Sequence, residues 1–312
     1  MESFLVCFHA VAPLFLIMAL GYLAQRTGIV PRELVPRLNK IGFRIFLPIT
    51  LFYTIYTSDV SHAIQPKLLL LSILTVLAEF GLSVGFVLLT EKDSEKQGVK
   101  IQAIFRSNFV LLGLPLAAAL VEGGDLGPVA LLAAIITPLF NVLAVFTLET
   151  FHGRKPDVRH LLLNIAKNPL IVGSAVGVFF LLTHLRLPAV LEITLKQLSP
   201  ISSPYMLFLL GAFFRFGGLR KYLKDLVQVS LGRLVIFPGL FLTLAFFLGI
   251  RGVGFAGLIA ITGSATAVGS FTMVQEMGGD SELAGDIVVV TSALCILTLF
   301  GWSFLFKTLG AF

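Results

Sequence analysis

The most constraining feature of the sequence is an interrupted apolar run at residues 106–125, RSNFVLLGLPLAAALVEGGD. The run is apolar enough to enter a lipid bilayer, but Asn108, Gly113 and Pro115 interrupt it halfway. A proline inside a helix lacks the N–H that the helix needs and clashes with the preceding turn, and a neighbouring glycine adds backbone freedom. A helix broken inside a membrane exposes backbone groups that only protein or a water-filled cavity can satisfy. The run therefore predicts a broken helix with a binding site at the break.

A second interrupted run follows about 155 residues further along the chain. The sequence GGD at residues 123–125 recurs at 278–280, after a run at 262–277 (TGSATAVGSFTMVQEM) that contains Gly, Ser and Thr at the matching place. Two pairs of prolines share nearly the same offset, Pro31 with Pro188 and Pro48 with Pro204. Interrupted spans at matching positions are typical of transporters built from an internal repeat. The pattern predicts two related halves, residues 1–151 and 152–312, within a single membrane domain.

The composition places both halves in a membrane. The chain of 312 residues is 57% hydrophobic and 13% charged, which is more apolar than a soluble domain can bury. At about 20 apolar residues per span, the predicted spans are 5–25, 42–57, 68–90, 101–121, 127–149, 168–184, 197–214, 227–249, 253–274 and 283–306. We therefore predict an all-α polytopic membrane protein with ten transmembrane helices. Because five spans per half is an odd number, the two repeats are expected to have inverted topology.

The basic residues between the spans predict the orientation. Lys and Arg are concentrated in the loops after spans 1, 3, 5 and 7 and are sparse in the alternate loops. The positive-inside rule places the basic loops in the cytoplasm and both termini outside. The loop after span 9 should also be cytoplasmic, although it has no Lys or Arg. Arg106, Arg215 and Arg233 lie near cytoplasmic span ends, where we expect them to extend towards water. We expect Asp286 to be solvated, with a position facing a cavity as the alternative.

Groups near the two breaks are the candidate substrate-binding residues. A broken helix directs the N-terminus of a half-helix into the membrane, where its free N–H groups and about half a positive charge can bind an anion. Asn108 is the strongest candidate, since its amide can donate to a carboxylate; a hydrogen bond between helices is the alternative. The other candidates are Ser107, Gly113, Pro115, Thr262, Gly263, Ser264, Thr266 and Ser270. For the hydroxyl residues, a bond to their own helix is equally open.

Three further polar residues are candidates for a coupling or accessory role. Glu79 is the one acid near the centre of an apolar span, and a buried carboxylate must be paired or protonated. It is therefore either a proton-coupling site or the partner of a basic residue. Arg106 is a candidate for drawing anions towards Asn108, with a solvated position as the alternative. Asn141, beside Pro138 in span 5, either lines the same cavity or packs between helices.

Motifs for catalysis and metal binding are missing from the sequence. The five histidines are scattered without metal-ligand spacing, and neither GxSxG nor HExxH occurs. The basic residues sit between apolar runs, where they set topology, so the charge of +6 does not indicate nucleic acid. We therefore expect no catalytic residue, metal, cofactor or nucleic-acid partner, and membrane lipid is the expected partner besides the substrate.

Several segments together carry a family resemblance. The sequence NFVLLGLPL in span 4, the Ser/Thr/Gly-rich span 9 and the closing segment FTMVQEMGGDSELAGDIVVVTSALCILTLF resemble the auxin efflux carrier family. This family comprises bacterial malate and malonate permease-like proteins related to plant PIN auxin exporters, and the resemblance covers essentially the whole chain. It implies that spans 4 and 9 unwind at mid-membrane and cross, that a scaffold half faces a transport half, and that the protein is a homodimer that transports organic anions. The family usually has a proline at both crossing points, whereas Ala265 stands at that place in span 9.

The sequence thus predicts a secondary active transporter of small organic anions, that is carboxylates, in the cell (plasma or inner) membrane. It would work by alternating access, with a proton as a candidate coupled ion. A sodium-coupled bile-acid-type symporter is the nearest alternative, but it needs acidic and amide oxygens clustered near the crossing, where the sequence offers Asn108 and hydroxyls. A channel, which needs rings of charge or carbonyls along an open path, and an intramembrane enzyme are the remaining alternatives.

Overall fold

Helices make up the regular structure of the described part of the chain. The computed structural model of the protein describes residues 2–58, 65–109, 116–117, 120–121, 126–151 and 158–311. Within these ranges we find no named strand, and the one isolated bridge joins Ser107 to Thr266. The prediction of an all-α protein is therefore confirmed.

The helices follow the apolar runs of the sequence. The first half contains α1 (Glu2–Arg26), α2 (Val35–Ile41), α3 (Leu47–Tyr56), α4 (Pro66–Thr90), α5 (Ser94–Phe105) and α6 (Gly127–Thr150). The second half contains α7 (Val158–Lys167), α8 (Pro169–Thr183), α9 (Ala189–Leu198), α10 (Ser202–Phe213), α11 (Gly218–Lys221), α12 (Leu223–Leu231), α13 (Phe237–Phe247), α14 (Gly252–Gly263), α15 (Gly269–Met277) and α16 (Ser281–Thr308). Among the described residues, α4, α6, the continuous α12–α13 unit and α16 are long and apolar enough to cross a membrane. The count of ten spans and the inverted repeat stay predictions.

Two of the predicted spans begin earlier than their apolar runs. The helical segment that contains span 2 begins at Arg32 rather than at residue 42, and the one that contains span 7 begins at Ala189 rather than at residue 197. Each segment follows a proline with extended backbone, Pro31 and Pro188. The sequence-based boundaries were too late because the first turns carry Arg, Lys and Glu, which an apolar-run criterion excludes.

Two helices contain a π-helical turn just before a proline. The turn Gly42–Phe46 joins α2 to α3 ahead of Pro48, and the turn Gly232–Ile236 joins α12 to α13 ahead of Pro238. A proline clashes with the carbonyl of the preceding helical turn, and the wider π turn relieves that clash while the helix continues. The second π turn carries Arg233, whose side chain is completely buried.

The helices pack in two groups. In the four-helix group, α1 lies along α10 and α3 lies along α8. In the crossing group, α4, α5, α6 and α12–α16 pack mainly against one another. The two groups touch where α16 meets α1 and where α6 meets α3 and α8. The candidate site lies between these two groups.

The closest helix approach in the four-helix group involves two glycines. A Cβ on Gly211 would lie 1.9 Å from the carbonyl oxygen of Met18, and a Cβ on Gly21 would lie 1.9 Å from that of Phe208. Small residues allow this contact between α1 and α10. We expect Gly211→Ala to lower the melting temperature in detergent, because the two backbones must separate at an overpacking cost of about 1–3 kcal/mol.

A matched control for this prediction is Gly85→Ala in α4. A Cβ at Gly85 meets no atom within 4 Å. The change should leave the melting temperature equal or raise it, since Ala favours a helix over Gly by about 1 kcal/mol. Equal melting temperatures for Gly211→Ala and the unmodified protein would contradict the close packing of α1 on α10.

The loops after α4, α10 and α15 meet at one end of the bundle. Lys221 Nζ lies 3.0 Å from Glu282 Oε2, and the main-chain N–H of Asp280 donates to the carbonyl oxygen of Glu95 at 3.2 Å. The Tyr222 hydroxyl donates to Asp280 Oδ2 at 2.6 Å. Burial and the Asp280 carboxylate raise the pKa of Tyr222 to about 12, so it remains a donor at neutral pH. The loop after α15 has no Lys or Arg of its own, and Lys221 of the neighbouring loop supplies a basic residue at this place by pairing with Glu282.

Candidate functional site

The chain leaves the helical conformation at both predicted interruptions. Helix α5 ends at Phe105, and Arg106 is extended with φ −87° and ψ 114°. Helix α14 ends at Gly263, Ser264 is extended with φ −70° and ψ 156°, and α15 begins at Gly269. The second break therefore forms although Ala265 replaces the proline that the family usually has there.

The two breaks are hydrogen-bonded to each other. Ser107 and Thr266 form an antiparallel bridge. Its two main-chain hydrogen bonds run from Asn108 N to Ala265 O at 2.8 Å and from Ala267 N to Arg106 O at 3.3 Å. Extended backbone directs successive side chains to opposite faces. Neighbouring side chains at the bridge therefore point in different directions.

Arg233 binds the ends of both interrupted helices. Its Nη1 donates to the carbonyl oxygens of Ile104 at 3.3 Å and Phe105 at 3.1 Å, at the end of α5. Its Nε donates to the carbonyl oxygen of Ser264 at 2.9 Å, and its Nη2 donates to that of Ile261, at the end of α14. The last turn of a helix leaves carbonyl groups unpaired and carries partial negative charge. One guanidinium, with five N–H donors, therefore caps two helix ends at once.

Glu79 supplies the counter-charge of Arg233. The two side chains are 3.2 Å apart, between Arg233 Nη1 and Glu79 Oε2, and both are 0% exposed. Of the two roles that the sequence left open for Glu79, the contacts favour the structural ion pair. The expectation that Arg233 extends to water is wrong, because its donors are all directed at carbonyls and a carboxylate inside the bundle. The sequence did contain a sign of this buried role. Arg233 lies six residues inside predicted span 8, and an ionisable residue within a span indicates a specific role.

A cavity of about 110 Å³ lies on the other side of the break in α5. One wall comes from α3 and α10 of the four-helix group, through Leu47, Thr50, Leu51, Thr54, Ser202, Ser203 and Met206. The other wall comes from the crossing group, through residues 106–109, Thr137, Phe140, Asn141 and residues 267–269. The N-terminus of α15 lies in this second wall and adds its partial positive charge. The cavity is thus an internal space between the two helix groups.

Arg106 provides the charge of this cavity. It is 6% exposed, and its Nη2 donates to Asn141 Oδ1 at 2.7 Å. Its Nη1 lies near Gln102 Oε1 and Ser270 Oγ, at 3.4 and 3.5 Å. No carboxylate of the described residues pairs with it, in contrast to Arg233. The expectation that Arg106 is solvated is wrong, since α5 ends deep in the bundle.

Three buried donors lie beside this guanidinium without a partner of their own. The Ser107 hydroxyl, the Asn108 Nδ2 group and the Asn141 Nδ2 group have no hydrogen-bond partner among the described residues. All three residues line the cavity. A buried polar group without a partner costs about 1–3 kcal/mol, so a cluster of them indicates that an absent group satisfies them. Together with Arg106, they suit a ligand with negatively charged acceptor oxygens.

Helix α5 is fixed in place by a second buried cation. Lys100 is 1% exposed, and its Nζ lies 2.7 Å from Asp225 Oδ1, 2.8 Å from Gln228 Oε1 and 3.3 Å from Glu91 Oε2. These contacts tie α5 to α12 and to the end of α4. The last turn of α5, and Arg106 after it, therefore has a defined position relative to the crossing group.

Several residues that the sequence proposed for the site face away from the cavity. The Thr262 hydroxyl donates to Leu258 O of its own helix at 2.8 Å, and the Thr266 hydroxyl donates to Ala103 O at 2.8 Å. Gly263 packs towards Leu299, and Ser264 contributes its carbonyl to Arg233. At the bridge the Thr266 hydroxyl is directed at Ala103, while the next residues, Ala267 and Val268, line the cavity.

The remaining candidates divide between the cavity and the part of the chain that is not described. Ser107, Asn108 and Asn141 line the cavity, and Ser270 lies next to the Arg106 guanidinium. Gly113 and Pro115 lie outside the described residues. The sequence did not single out Gly269, yet a Cβ there would lie 3.3 Å from Arg106 Nη2, so a glycine leaves room for the guanidinium.

A second cavity, of about 260 Å³, lies near the end where the loops meet. Its lining combines Arg32 and Arg215 with Glu282 and Asp286. Asp286 is 2% exposed, so the expectation of a solvated carboxylate at the start of span 10 is wrong. The side chain is buried because α16 begins at Ser281 and carries it one turn into the bundle.

Comparison with known proteins agrees with this architecture. The model of a family described as membrane transport protein matches residues 6–152 and 155–303. The chain is 26% identical over 298 residues to an uncharacterized transporter of Methanocaldococcus jannaschii, covering 92% of this chain and 95% of that protein. It is 23% identical over 307 residues to a protein of Rhizobium meliloti named "Putative malonate transporter", covering 96% and 95%. These relatives are membrane transporters rather than enzymes, and the chain belongs to the membrane transport protein family, the auxin efflux carrier family.

Proposed function

We propose that this chain is a secondary active transporter of small organic anions that binds a substrate carboxylate at Arg106. The observation that carries this proposal is a buried guanidinium without a carboxylate partner among the described residues, next to three buried donors that also lack partners. A buried charge is costly unless an opposite charge pairs with it. A carboxylate can accept two parallel hydrogen bonds from a guanidinium and has lone pairs left for Asn108 and Asn141.

The position of the cavity supports alternating access. Its two walls belong to different helix groups, so a movement of the crossing group against the four-helix group would change access to Arg106 without dismantling either group. The proposal includes ten spans in two inverted repeats, residues 1–151 and 152–312, with both termini outside the cell membrane. It also includes a homodimer, as the family resemblance implies.

The contacts of Arg233 count against the sodium-coupled alternative. In transporters with broken helices, a coupling cation binds unwound carbonyls and helix C-terminal ends. Here a guanidinium already binds four such carbonyls, and Glu79 already neutralises it. A proton or no coupled ion therefore fits this chain better than sodium. The malonate named for one relative is a carboxylate and supports the substrate class.

Asn108→Ala tests the proposal in purified protein. The ligands are acetate, lactate, malonate and benzoate, each assayed for a rise in the melting temperature, which reports binding to the folded state. We expect at least one acid to stabilise the unmodified protein, and Asn108→Ala to bind it about 10- to 150-fold more weakly. The reason is the loss of a hydrogen bond to a charged group, which contributes about 1.5–3 kcal/mol.

Thr262→Val is the matched control for Asn108→Ala. Thr262 lies beside the other break, but its hydroxyl is bonded to its own helix, so the change should leave the affinity as it was. Weakened binding in Thr262→Val together with normal binding in Asn108→Ala would contradict the assignment of the binding site to the side of the breaks on which Asn108 lies. If no acid raises the melting temperature of the unmodified protein, the anion-transport proposal itself fails.

A further inference from the structure

Among the described lining residues of the cavity, Arg106 is the single charged side chain. The others are neutral, with amide, hydroxyl or apolar side chains. Arg233 cannot serve the cavity as a second cation, because its donors are bound to carbonyls and to Glu79. One positive charge is thus available to a ligand.

The wall opposite Arg106 carries hydroxyl groups. Thr50, Thr54, Ser202 and Ser203 come from α3 and α10 and face the cavity. The Thr50 hydroxyl donates to Ser199 O at 2.6 Å, so its remaining capacity towards a ligand is that of an acceptor. The wall of hydroxyls, which both donate and accept, offers hydrogen bonds but no positive charge, and it therefore suits a neutral polar group such as a hydroxyl or an un-ionised carboxylic acid.

The volume of the cavity limits the size of the ligand. At about 110 Å³ it is smaller than the cavity of about 150 Å³ that binds benzene in an engineered protein. Apolar side chains of the wall, among them Leu51, Phe140 and Met206, suit a short carbon chain. The described cavity therefore favours a small acid over one with an aromatic ring system.

Taking these observations together, we infer that the site selects small carboxylates with one negative charge whose remaining part carries a neutral polar group, that is, hydroxy monocarboxylates and half-neutralised dicarboxylates. The inference rests on the proposed function and deepens it. A second ionised carboxylate would be buried opposite neutral hydroxyls, and the described lining residues offer no second cation to offset its desolvation. A dicarboxylate therefore enters as its monoanion.

The test compares malonate with its monomethyl ester, which has nearly the same shape but only one ionisable group. Binding to the purified protein is measured by calorimetry and melting temperature at about pH 7.5 and about pH 5.5, a range in which a simple monocarboxylate stays ionised. We expect the half-ester to bind equally at both values. Malonate should bind at least about ten-fold more weakly than the half-ester at the higher pH and should approach it at the lower pH, as its monoanion becomes abundant.

Lactate and propionate test the hydroxyl wall with the same protein. They differ in one hydroxyl, and we expect lactate to bind about ten-fold more tightly, in line with one buried hydrogen bond. Ser203→Ala and Thr54→Val, which remove hydroxyls from the opposite wall, should reduce this preference for lactate over propionate.

The outcomes separate the inference from the function on which it rests. Tighter binding of malonate than of its half-ester at the higher pH would overturn the single-charge inference and leave carboxylate transport standing. Equal binding of lactate and propionate would overturn the assignment of the hydroxyl wall. Absence of binding by all four acids would overturn the proposed function and the inference with it.

Discussion

Replacing Arg106 with glutamine is expected to abolish carboxylate binding and, at the same time, to raise the melting temperature of the empty protein. Loss of one partner from a buried, hydrogen-bonded charge pair costs about 2–5 kcal/mol, which weakens binding by about 30-fold or more. Without ligand, no carboxylate of the described residues neutralises Arg106, so its burial destabilises the fold. Glutamine removes the charge and keeps an amide that can donate to Asn141. Thermal unfolding with and without a bound acid measures both effects.

The opposite signs of these two effects distinguish a ligand-binding arginine from a structural one. Arg106→Lys is the control, because it keeps the charge: it should retain weaker binding and show no stabilisation. A fall in the melting temperature of Arg106→Gln, or an unchanged affinity for the acid, would contradict the role assigned to this residue.

Replacing Arg233 with methionine is expected to lower the melting temperature further than Gly211→Ala does. The change leaves Glu79 buried without a counter-charge and leaves four carbonyl groups of α5 and α14 uncapped. Breaking a buried pair in this way costs about 3–5 kcal/mol. Glu79→Gln should cost less, because Arg233 keeps its carbonyl partners. The double variant Arg233→Met/Glu79→Met should recover part of the loss, since it removes the unpaired carboxylate.

The control for the Arg233 variant is Arg251→Met. Arg251 also donates to main-chain carbonyls at a helix end, but it is exposed, so its loss should change the melting temperature little. Glu79→Gln has a functional readout as well: transport should keep the pH dependence of the unmodified protein. A folded Glu79→Gln variant that had lost this dependence would return Glu79 to a coupling role.

That both runs are interrupted was predictable from the sequence because the causes are local. Asn108 and the glycines and hydroxyl residues at 262–270 interrupt apolar runs, and the regular helices stop at residues 106–108 and 264–268. Gly113 and Pro115, on which the prediction of the first break also rested, lie outside the described residues. Asn108 and Asn141, which line the cavity, were candidates by the same local reasoning, since an amide inside an apolar span needs a partner.

The partners of the charged residues were not predictable in the same way. Arg233 and Glu79 lie in different spans, and an apolar run indicates neither the face of a helix on which a residue lies nor the helix opposite it. The same limit applies to Thr262 and Thr266, whose orientation depends on the residue at which α14 ends. The early starts of the helices at Arg32 and Ala189 were missed because polar first turns resemble loops when apolar content is the only criterion.

The Arg233 contacts also bear on what happens between two transport events. A cation that diffuses in and out would leave the crossing with two facing, partly negative helix ends whenever it departed. Arg233 is attached to the chain by covalent bonds, so this counter-charge is present whether or not any solute is bound. In the proposed alternating-access cycle, the empty protein would therefore return to its starting conformation with its broken helices held together, independent of the salt on either side of the membrane.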